Sequence, residues 1–320
     1  MQRLLSPMLI LMLALSSTPV AAADGEAGLT PDAVNKATGD GPAALLRAQV
    51  LLERARFSPG EIDGGAGSNT RRAIAGFQRS RDLEPSGELD DATWEALAGD
   101  GTPALVTHTL TEADVAGPFQ EDIPEDTMEK ARLDALGYTS VEEALAEKFQ
   151  ASPALLARLN PGKEFKAGTE LVVPNVADLA ALAPAAEVVV DKSDSVLRLK
   201  DEAGKVYAQF PASTGSERDP LPIGEWKIEA VATDPTYHYN PELFWDADPE
   251  HAKATLPAGP NNPVGTAWID LSKPHYGIHG TPEPAQIGKT QSYGCIRLTN
   301  WSANAVAAAV KAGTRVLLQE

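Results

Sequence analysis

The stretch EVVVDKSDSVLRLKDEAGKVYAQFPASTG, residues 187–215, decides the fold of the C-terminal part of the chain. Its apolar residues come in short valine-rich runs that partly alternate with polar residues, and a polar turn at 202–205 interrupts them. Short β-branched runs bounded by turn residues are typical of β-strands joined by tight connections. We therefore predict strands at residues 188–190, 196–199 and 206–210.

The rest of this region continues the same pattern and closes with a helix. Four further strands are predicted, at residues 225–230, 267–270, 276–279 and 315–318. The segment WSANAVAAAVKAG, residues 301–313, has a helical composition and ends at Gly313, a natural helix stop. Residues 186–320 are therefore expected to form a mostly-β domain, a sandwich or an open barrel, with one C-terminal helix.

The N-terminal part has helical periodicity. In GPAALLRAQVLLERARF, residues 41–57, the apolar residues recur at the spacing of one helix face. Asn69 is predicted to cap a second helix, TRRAIAGFQRSR, and Asp90 or Asp91 a short third one. Together these pieces predict a small all-α module of three helices at residues 42–98.

This helical segment resembles the peptidoglycan-binding module that is found beside cell-wall enzymes. The resemblance rests on Gln49, Leu52, Asp63, Gly64, Thr70, Ile74, Phe77, Gln78, Leu83, Gly87, Asp91, Thr93 and Leu97. A generic helical bundle is the alternative interpretation, but the ordered set of polar and glycine positions is more specific than that. The resemblance implies a unit that binds peptidoglycan.

Residues 105–176 are predicted to form a second small module. The segment YTSVEEALAEKFQASPALLARLNPGKEFKAGTELVVPNV, residues 138–176, begins with a strand-like piece and continues with two helices, the second starting near Ser152. A turn and a strand at residues 170–173 follow. The order of these elements resembles a divergent LysM module, an α+β unit that binds glycan. A structural spacer is the alternative interpretation.

The first residues have the pattern of a secretory signal peptide. Arg3 precedes an apolar run at residues 4–15, and three alanines end at Ala23, so cleavage after Ala23 is expected. The run is shorter than the roughly 18–20 residues that span a bilayer, and no later segment is long and apolar enough to do so. We therefore expect residues 1–23 to direct export, to a bacterial periplasm or cell wall, and a polar lead at 24–41 to follow.

The charge of the chain argues against two classes of partner. The formal net charge is −18, and a surface of that sign repels nucleic acid and anionic lipid, both of which bind clustered Lys and Arg. An acidic ligand would have to be met by basic residues placed locally at its site.

Cys295 is the only cysteine of the chain, so it cannot form an internal disulfide. It is either a buried apolar filler or a reactive thiol, and a reactive thiol needs an adjacent base or cation. His279 ends a predicted strand upstream, and the loop between the two residues is long enough to fold back. Consecutive amides at residues 293–295 could hold an oxyanion, and Arg297 has the fork geometry to bind a carboxylate.

The segment YGIHGTPEPAQIGKTQSYGCIRLTN, residues 276–300, resembles the signature of the L,D-transpeptidase catalytic domain. The family pattern is His-Gly-Thr, a loop with an internal glycine, then Ser-His-Gly-Cys and an arginine. The matching residues are His279, Gly280, Thr281, Gly288, Ser292, Gly294, Cys295 and Arg297. STG at 213–215, LPIGEW at 221–226 and NNPVGTAWIDL at 261–271 also match. The resemblance thus covers nearly all of residues 186–319.

The resemblance implies an enzyme of cell-wall biogenesis. Cys295 would attack the carbonyl before the terminal D-Ala of a tetrapeptide stem, with His279, held by a backbone carbonyl, as base and then acid. The residues implied in oxyanion stabilisation or substrate binding are Tyr276, Gly280, Thr281, Ser292, Tyr293, Gly294 and Arg297. An amine of a neighbouring stem would take the thioester, and no metal or organic cofactor is implied. Three alternatives stay open: a lipoprotein as acceptor, water as acceptor in an L,D-carboxypeptidase, and a silent peptidoglycan-binding protein.

The chain departs from the family pattern at one position. The family has histidine directly before the Gly-Cys pair, and this chain has Tyr293, so the contribution of a second imidazole is in question. His275 and His279 lie four residues apart, a spacing that suits zinc on a helix. Pro274 and Gly277 argue against a helix there.

The aromatic residues of the C-terminal region are expected in three different places. Tyr237, Tyr239, Phe244 and Trp245 form a cluster in the sequence that is a candidate lining for a substrate groove. Trp226 and Trp268 lie in predicted strands and are expected in the core. Trp301 is expected to pack the final helix under the loop that carries Cys295.

Overall fold

The computed structural model describes residues 29–99 and 101–320. The predicted signal peptide at residues 1–23 lies outside the described residues. The described part begins with four helices: α1 (Pro31–Lys36), α2 (Pro42–Arg54), α3 (Ser68–Ser80) and α4 (Asp91–Leu97). Within the described ranges, no helix has the length and apolar character needed to cross a membrane.

The three helices predicted for the N-terminal module are present and pack around an aromatic core. Phe57 and Phe77 meet edge to face with ring centroids 5.9 Å apart, and Leu52 and Trp94 are buried beside them. Helix α4 starts where it was predicted to, because Asp90 Oδ1 accepts a hydrogen bond of 2.8 Å from the third residue of the helix. Burial of these rings holds three short helices together.

The structure corrects two details of this module. The lead at residues 24–41 contains α1, which the sequence analysis did not predict and which buries Val34. The predicted cap at Asn69 is wrong, because α3 already includes Asn69 and has Gly67 as its N-cap. The Asn69 side chain donates instead to the Ile287 carbonyl, at 2.8 Å. The Asn69 side chain therefore makes a long-range contact instead of the local helix cap that was predicted for it.

The middle segment, residues 105–176, has one short strand before its helices in the sequence and one after them. Strands β1 (Leu105–Thr109) and β2 (Glu170–Pro174) pair antiparallel along their whole length. The helices between them are α5 (Thr127–Lys130), α6 (Val141–Lys148) and α7 (Pro153–Leu159). The strand-like piece predicted at Tyr138 is wrong, because β1, far upstream, supplies the partner strand. Assignment of this segment to the LysM family stays a prediction.

The middle segment and the N-terminal helices share one hydrophobic core. Leu46 and Val50 of α2 pack in the same cluster as Ile62 and Leu155, and all four are fully buried. The Ile62 amide also donates to the Gln150 carbonyl, at 2.9 Å. Two segments that bury each other's apolar surface lose that burial together, so we expect them to unfold as one unit.

The C-terminal region forms one curled sheet and a separate hairpin. Its strands are β3 (Glu187–Asp191), β4 (Val196–Lys200), β5 (Val206–Pro211), β6 (Gly224–Thr233), β7 (Tyr237–Tyr239), β8 (Ala254–Leu256), β9 (Ala267–Leu271), β10 (Gly277–His279), β11 (Ile296–Arg297) and β12 (Arg315–Gln319). Strands β7 and β8 pair only with each other, and the other eight follow the order β11-β10-β9-β6-β12-β3-β4-β5. All seven predicted strands are present. The eight strands are joined into one continuous sheet, so the mostly-β domain expected here is confirmed.

Strand β6 joins the two halves of the curled sheet. Its first part pairs with β12 and its second part with β9, and a bulge at residues 228–230 marks the change of partner. Helix α8 (Asn300–Ala309) packs into the core of the curl. It ends at Ala309 and not at the predicted Gly313, because the Ala309 carbonyl accepts a hydrogen bond of 2.8 Å from Ala185.

The N-terminal helices cover the edge strand β5. The Gln209 amide donates to the Arg56 carbonyl, and the Gln209 carbonyl accepts from the Ser58 amide, both at 2.8 Å. The Gln209 side chain donates to the Arg72 carbonyl of α3, at 2.9 Å. An open edge strand pairs readily with other chains. The contact therefore protects the sheet and sets the orientation of the N-terminal module on it.

Candidate active site

Cys295 and His279 lie at the ends of two adjacent parallel strands. His279 is the last residue of β10, and Cys295 directly precedes β11, in which Ile296 pairs with Ile278. Both isoleucines are fully buried, and side chains alternate along a strand, so His279 and its partner Arg297 project from the opposite face. Arg297 acts electrostatically on both His279 and Cys295. The register of β10 and β11 thus places Cys295 and Arg297 on the strand next to His279, on the face that carries the imidazole.

The His279 imidazole is buried and held in one orientation. Its Nδ1 lies 2.7 Å from the Gly280 carbonyl oxygen. A carbonyl only accepts hydrogen bonds, so Nδ1 carries the proton and Nε2 is left as the basic nitrogen. The Trp268 indole stacks on the ring, with centroids 5.5 Å apart. Trp268 was expected only in the core, so the sequence analysis missed its contact with the candidate base.

Burial, the largest cause, and the positive charge of Arg297 together lower the pKa of His279 to about 4, although the bond to Gly280 acts in the other direction. Burial also raises the pKa of the Cys295 thiol, against the effects of a hydrogen bond from Gly277 and of Arg297. Both shifts favour neutral groups. At neutral pH the resting site therefore holds a thiol beside a neutral imidazole rather than an ion pair.

The segment before Cys295 is shaped by close contacts. Gly294 has a φ of +109°, and a Cβ there would lie 2.7 Å from the Tyr276 ring, so only glycine fits. Ser292 Oγ donates to the Cys295 carbonyl at 2.5 Å and accepts from the Gly294 amide at 3.2 Å. The Gly294 amide is thus already used, which corrects the expectation that three consecutive amides are available for an oxyanion.

Arg297 braces the loop as well as facing the site. Its Nη2 donates to Thr290 Oγ1 at 3.0 Å and to the Gln291 carbonyl at 2.7 Å. Its Nε is buried and has no hydrogen-bond partner in the described part of the chain. This nitrogen is closed off from the solvent, so the carboxylate-binding role of Arg297 stays a prediction.

Thr281 is held by contacts within the protein, and its role in substrate binding stays a prediction. It is buried, and its amide donates to Asn300 Oδ1 at 3.1 Å. Its hydroxyl accepts a hydrogen bond of 3.2 Å from the Glu283 amide. The sequence analysis missed Asn300. Its only sequence signal was an amide residue close after the cysteine motif, and the structure places it, fully buried, at the start of α8.

Tyr293, which stands where the family has histidine, is tied to the hairpin connection between β7 and β8. Its hydroxyl donates to Asp246 Oδ2 at 2.5 Å, and this bond, with burial, raises the pKa of Tyr293 to about 12. Its ring meets Phe244 edge to face at 5.1 Å and lies 6.4 Å from Trp245. Tyr293 therefore anchors this connection against the loop that carries Cys295, a contact for which Asp246 had given no sequence signal.

The aromatic cluster predicted to line a groove divides in the structure. Trp245 and Tyr293 are both about half exposed, and Arg218 lies 3.8 Å over the Trp245 ring. Tyr237 lies near Cys295: burial, and then the Cys295 charge, raise the pKa of Tyr237 to about 12. Tyr239 instead packs in a small core with the middle segment. Tyr237 thus lies beside the thiol, and Trp245 lies beside Tyr293 in the loop that carries Cys295.

His275 lies in the turn before β10 with a φ of +68°. It presents its carbonyl, not its ring, to the Cys295 thiol, at 3.7 Å. Within the described ranges, no three His, Cys, Asp or Glu side chains are placed together as a metal ion would require.

Two protein-family models match this chain, one in the C-terminal region and one in the N-terminal helices. Residues 185–318 match the model of the YkuD L,D-transpeptidase catalytic domain, and residues 43–97 match that of a putative peptidoglycan binding domain. An L,D-transpeptidase structure from Mycobacterium smegmatis aligns at 19% identity over 49% of this chain and 76% of that one, with a TM-score of 0.35.

Curated relatives align more closely in sequence. A putative L,D-transpeptidase of Fuscovulum blasticum is 45% identical over 132 residues, 40% of this chain and 67% of that protein. The putative L,D-transpeptidase YkuD of Bacillus subtilis is 31% identical over 177 residues, 55% of this chain and 91% of that protein. With that coverage and the matched catalytic model, the chain belongs to the YkuD-type L,D-transpeptidase family of peptidoglycan enzymes.

Proposed function

We propose that the chain is an exported cysteine L,D-transpeptidase that acts on tetrapeptide stems of peptidoglycan. One observation carries the proposal: Cys295 precedes the strand beside His279, whose Nδ1 is fixed by the Gly280 carbonyl and whose Nε2 is therefore basic. A thiol needs such a base to become a nucleophile near neutral pH.

In the first half-reaction Cys295 Sγ attacks the carbonyl between the diaminopimelate L-centre and the terminal D-Ala. His279 Nε2 takes the thiol proton and then gives it to the departing D-Ala amine, which leaves a thioester on Cys295. The lowered pKa of His279 and the raised pKa of Cys295 support transfer at the moment of attack rather than a preformed thiolate. The amides of Tyr293 and Cys295 would stabilise the oxyanion, since Ser292 occupies that of Gly294.

In the second half-reaction the amine of a neighbouring stem attacks the thioester and forms a direct cross-link. His279 takes the amine proton and returns it to the Cys295 sulfur, so no net proton is gained or lost. Arg297, whose positive charge acts on both His279 and Cys295, would attract a stem carboxylate to the site. Water or a lipoprotein amine would be processed by the same steps, and the shape of the groove beside Trp245 would select among them.

The N-terminal helices would hold the enzyme on its polymer. They contact the catalytic region through Asn69 and Gln209, so a peptidoglycan strand bound by them would lie at a set distance from the site. Tethering of this kind raises the local concentration of substrate without new chemistry.

Mass spectrometry tests the proposal. The purified chain is incubated with disaccharide-tetrapeptide and, separately, with a carbapenem, and Cys295→Ala is treated in parallel. We expect an adduct on Cys295, a cross-linked dimer of stems, and no product from Cys295→Ala, whose binding to cell-wall sacculi should be unchanged. Tripeptide without dimer would assign L,D-carboxypeptidase activity. An unmodified thiol and no product would make the chain a binding protein only.

A further inference from the structure

A carboxylate of the middle segment reaches the catalytic region. Glu147, on α6, accepts a hydrogen bond of 3.0 Å from Asn300 Nδ2 through Oε2 and one of 3.0 Å from the Tyr138 hydroxyl through Oε1. Asn300 is fully buried and is the first residue of α8. Its side chain therefore links the middle segment to the helix that follows the cysteine motif.

The other end of the Asn300 amide holds the main chain beside His279. Asn300 Oδ1 accepts from the Thr281 amide at 3.1 Å and from the Thr266 amide at 3.2 Å. The Thr281 N–H belongs to the same peptide group as the Gly280 carbonyl, and that carbonyl holds His279 Nδ1 at 2.7 Å. One peptide group thus connects the imidazole to Asn300, and through it to Glu147.

Little free space surrounds this connection. A Cβ on Gly280 or on Gly265 would overlap Asn300 Oδ1, so both positions require glycine. Asn300 Nδ2 also donates to the Pro260 carbonyl at 3.1 Å. An amide that is packed so closely and bonded at both ends transmits the position of its partner instead of absorbing it by rotation.

We propose that Glu147 is a positioning residue for the candidate base His279, and that the middle segment completes the active centre rather than spacing two domains. The inference rests on the proposed function of His279. Loss of the Glu147 carboxylate would leave Asn300 Nδ2 with the Pro260 carbonyl as its acceptor and would let the packed amide shift. The Gly280–Thr281 peptide group could then rotate, and the imidazole with it. A displacement of about 1 Å at a reacting group costs up to about 100-fold in rate.

A second carboxylate on the same helix provides a matched control. Glu143 is also half-buried at this junction, and it accepts from Asn261 Nδ2 at 2.8 Å and from the Thr139 hydroxyl at 2.5 Å. It makes no bond to Asn300 or to the peptide group that holds His279. A variant of Glu143 therefore weakens the junction without touching the connection to the imidazole.

The experiment uses the full chain and follows acylation of Cys295 by a carbapenem, which separates the maximal rate from the half-saturating concentration. We expect Glu147→Ala to lower the maximal rate by about 10- to 100-fold with little change in half-saturation. Glu147→Gln, which keeps an oxygen for Asn300, should restore most of the rate. Glu143→Ala should lower the melting temperature as much as Glu147→Ala does, with a rate within about threefold of the parent chain.

Equal rate losses in Glu143→Ala and Glu147→Ala, or an unchanged rate in Glu147→Ala, would overturn the inference. If Glu147→Ala does not fold, Glu147→Asp tests the same contact, because it keeps the charge but shortens its reach; an unchanged maximal rate there would be equally decisive. His279→Gln is measured alongside. Retention of acylation in His279→Gln would reject the proposed function, whereas its loss with a normal Glu147→Ala would reject only the positioning role.

Discussion

The Trp268 indole lies nearly parallel to the His279 imidazole, at an interplanar angle of 19°. Trp268 Nε1 donates to Asp270 Oδ1 at 3.3 Å. The absence of a side chain at Gly277 leaves room for the indole, because a Cβ there would lie 2.5 Å from the ring. The indole thereby keeps water from the imidazole. Since burial is the main cause of the lowered pKa of His279, we expect this contact to influence the pH range in which the base is active.

Replacement of this indole should move the pH dependence of the enzyme. The base is active only when unprotonated, so with a pKa of about 4 the acylation rate should fall only below about pH 4. In Trp268→Leu, water reaches the ring, and the acidic limb should move upward by about one pH unit. Carbapenem acylation of Cys295, measured between about pH 3 and 8, checks the shift. Trp226→Leu, another half-buried indole but on β6, should leave the limb in place, and an unmoved limb in Trp268→Leu would contradict the prediction.

The contact between Asn69 and the loop that carries Gly288 should make the free energy of unfolding sensitive to one added methyl group. Gly288 has a φ of +73°, and a Cβ there would lie 2.5 Å from Asn69 Oδ1. Gly204 has a similar φ of +78° and open space around it. Gly204→Ala should therefore cost only the backbone strain, about 1 kcal/mol in the free energy of unfolding. Gly288→Ala should cost about 1 to 3 kcal/mol more, because Asn69 must give up its bond to Ile287.

Urea unfolding of both glycine variants checks this difference. The double variant Asn69→Ala/Gly288→Ala provides the control, because Asn69→Ala removes the obstructing oxygen. Added to that background, Gly288→Ala should cost no more than Gly204→Ala does in the parent chain. Equal costs for the two single variants would mean that the loop and the module are not in contact in solution.

A buried carboxyl should make the chain less stable as the pH rises. Burial raises the pKa of Glu53 to about 7, against the effects of Ser58 and Arg56. The folded chain therefore holds a proton between about pH 4.5 and 7 that the unfolded chain has lost, and stability falls through that window. Glu53→Gln mimics the protonated form. It should raise the free energy of unfolding by about 3 kcal/mol at pH 8 and hardly at all at pH 4.

His279 has the opposite effect over nearly the same range. Its folded pKa of about 4 lies below the ordinary value of 6.5. Its contribution to stability is therefore complete above about pH 6.5 and is lost as the pH falls to about 4. In the parent chain the slopes from Glu53 and His279 oppose each other, so Glu53→Gln should reveal a rise of stability with pH. Urea unfolding across this range checks it, and a parent-like slope in Glu53→Gln would refute the assignment.

The tyrosine that replaces the family histidine should be tolerant of change. Tyr293 contributes a main-chain amide near Cys295, and its hydroxyl bonds to Asp246. In Tyr293→His the amide and His279 are both retained, so we expect acylation within about fivefold of the parent chain. A collapse of turnover would show that the tyrosine is a necessary part of this site.

Variants that remove the hydrogen bond between Tyr293 and Asp246 test its effect on substrate binding separately from the catalytic step. Tyr293→Phe and Asp246→Ala each remove it, so their effects on substrate half-saturation should be similar, and the double variant should show little further change. Additive effects would show that the two residues act independently. The measurement is the half-saturating concentration of the disaccharide-tetrapeptide.

The local sequence pattern was sufficient to predict the strands and the cap of α4. The seven strands appear where β-branched runs were bounded by turn residues, and Asp90 caps α4, because a strand or a cap depends mainly on neighbouring residues. Local rules failed where a distant partner competed for the same atoms. Asn69 was predicted to cap a helix and instead holds Ile287, and the final helix stops at Ala309, where Ala185 takes its carbonyl.

The sequence by itself determined the family, the order of its segments and the candidate nucleophile and base, because those depend on residue types at set spacings. Only the tertiary structure decided what surrounds them. Tyr293 meets Asp246, Trp268 covers His279, and Glu147 reaches Asn300 across a separation of 153 residues. Such contacts leave no periodic signal, because they arise from the packing of whole elements, and burial there sets the pKa values on which the chemistry depends.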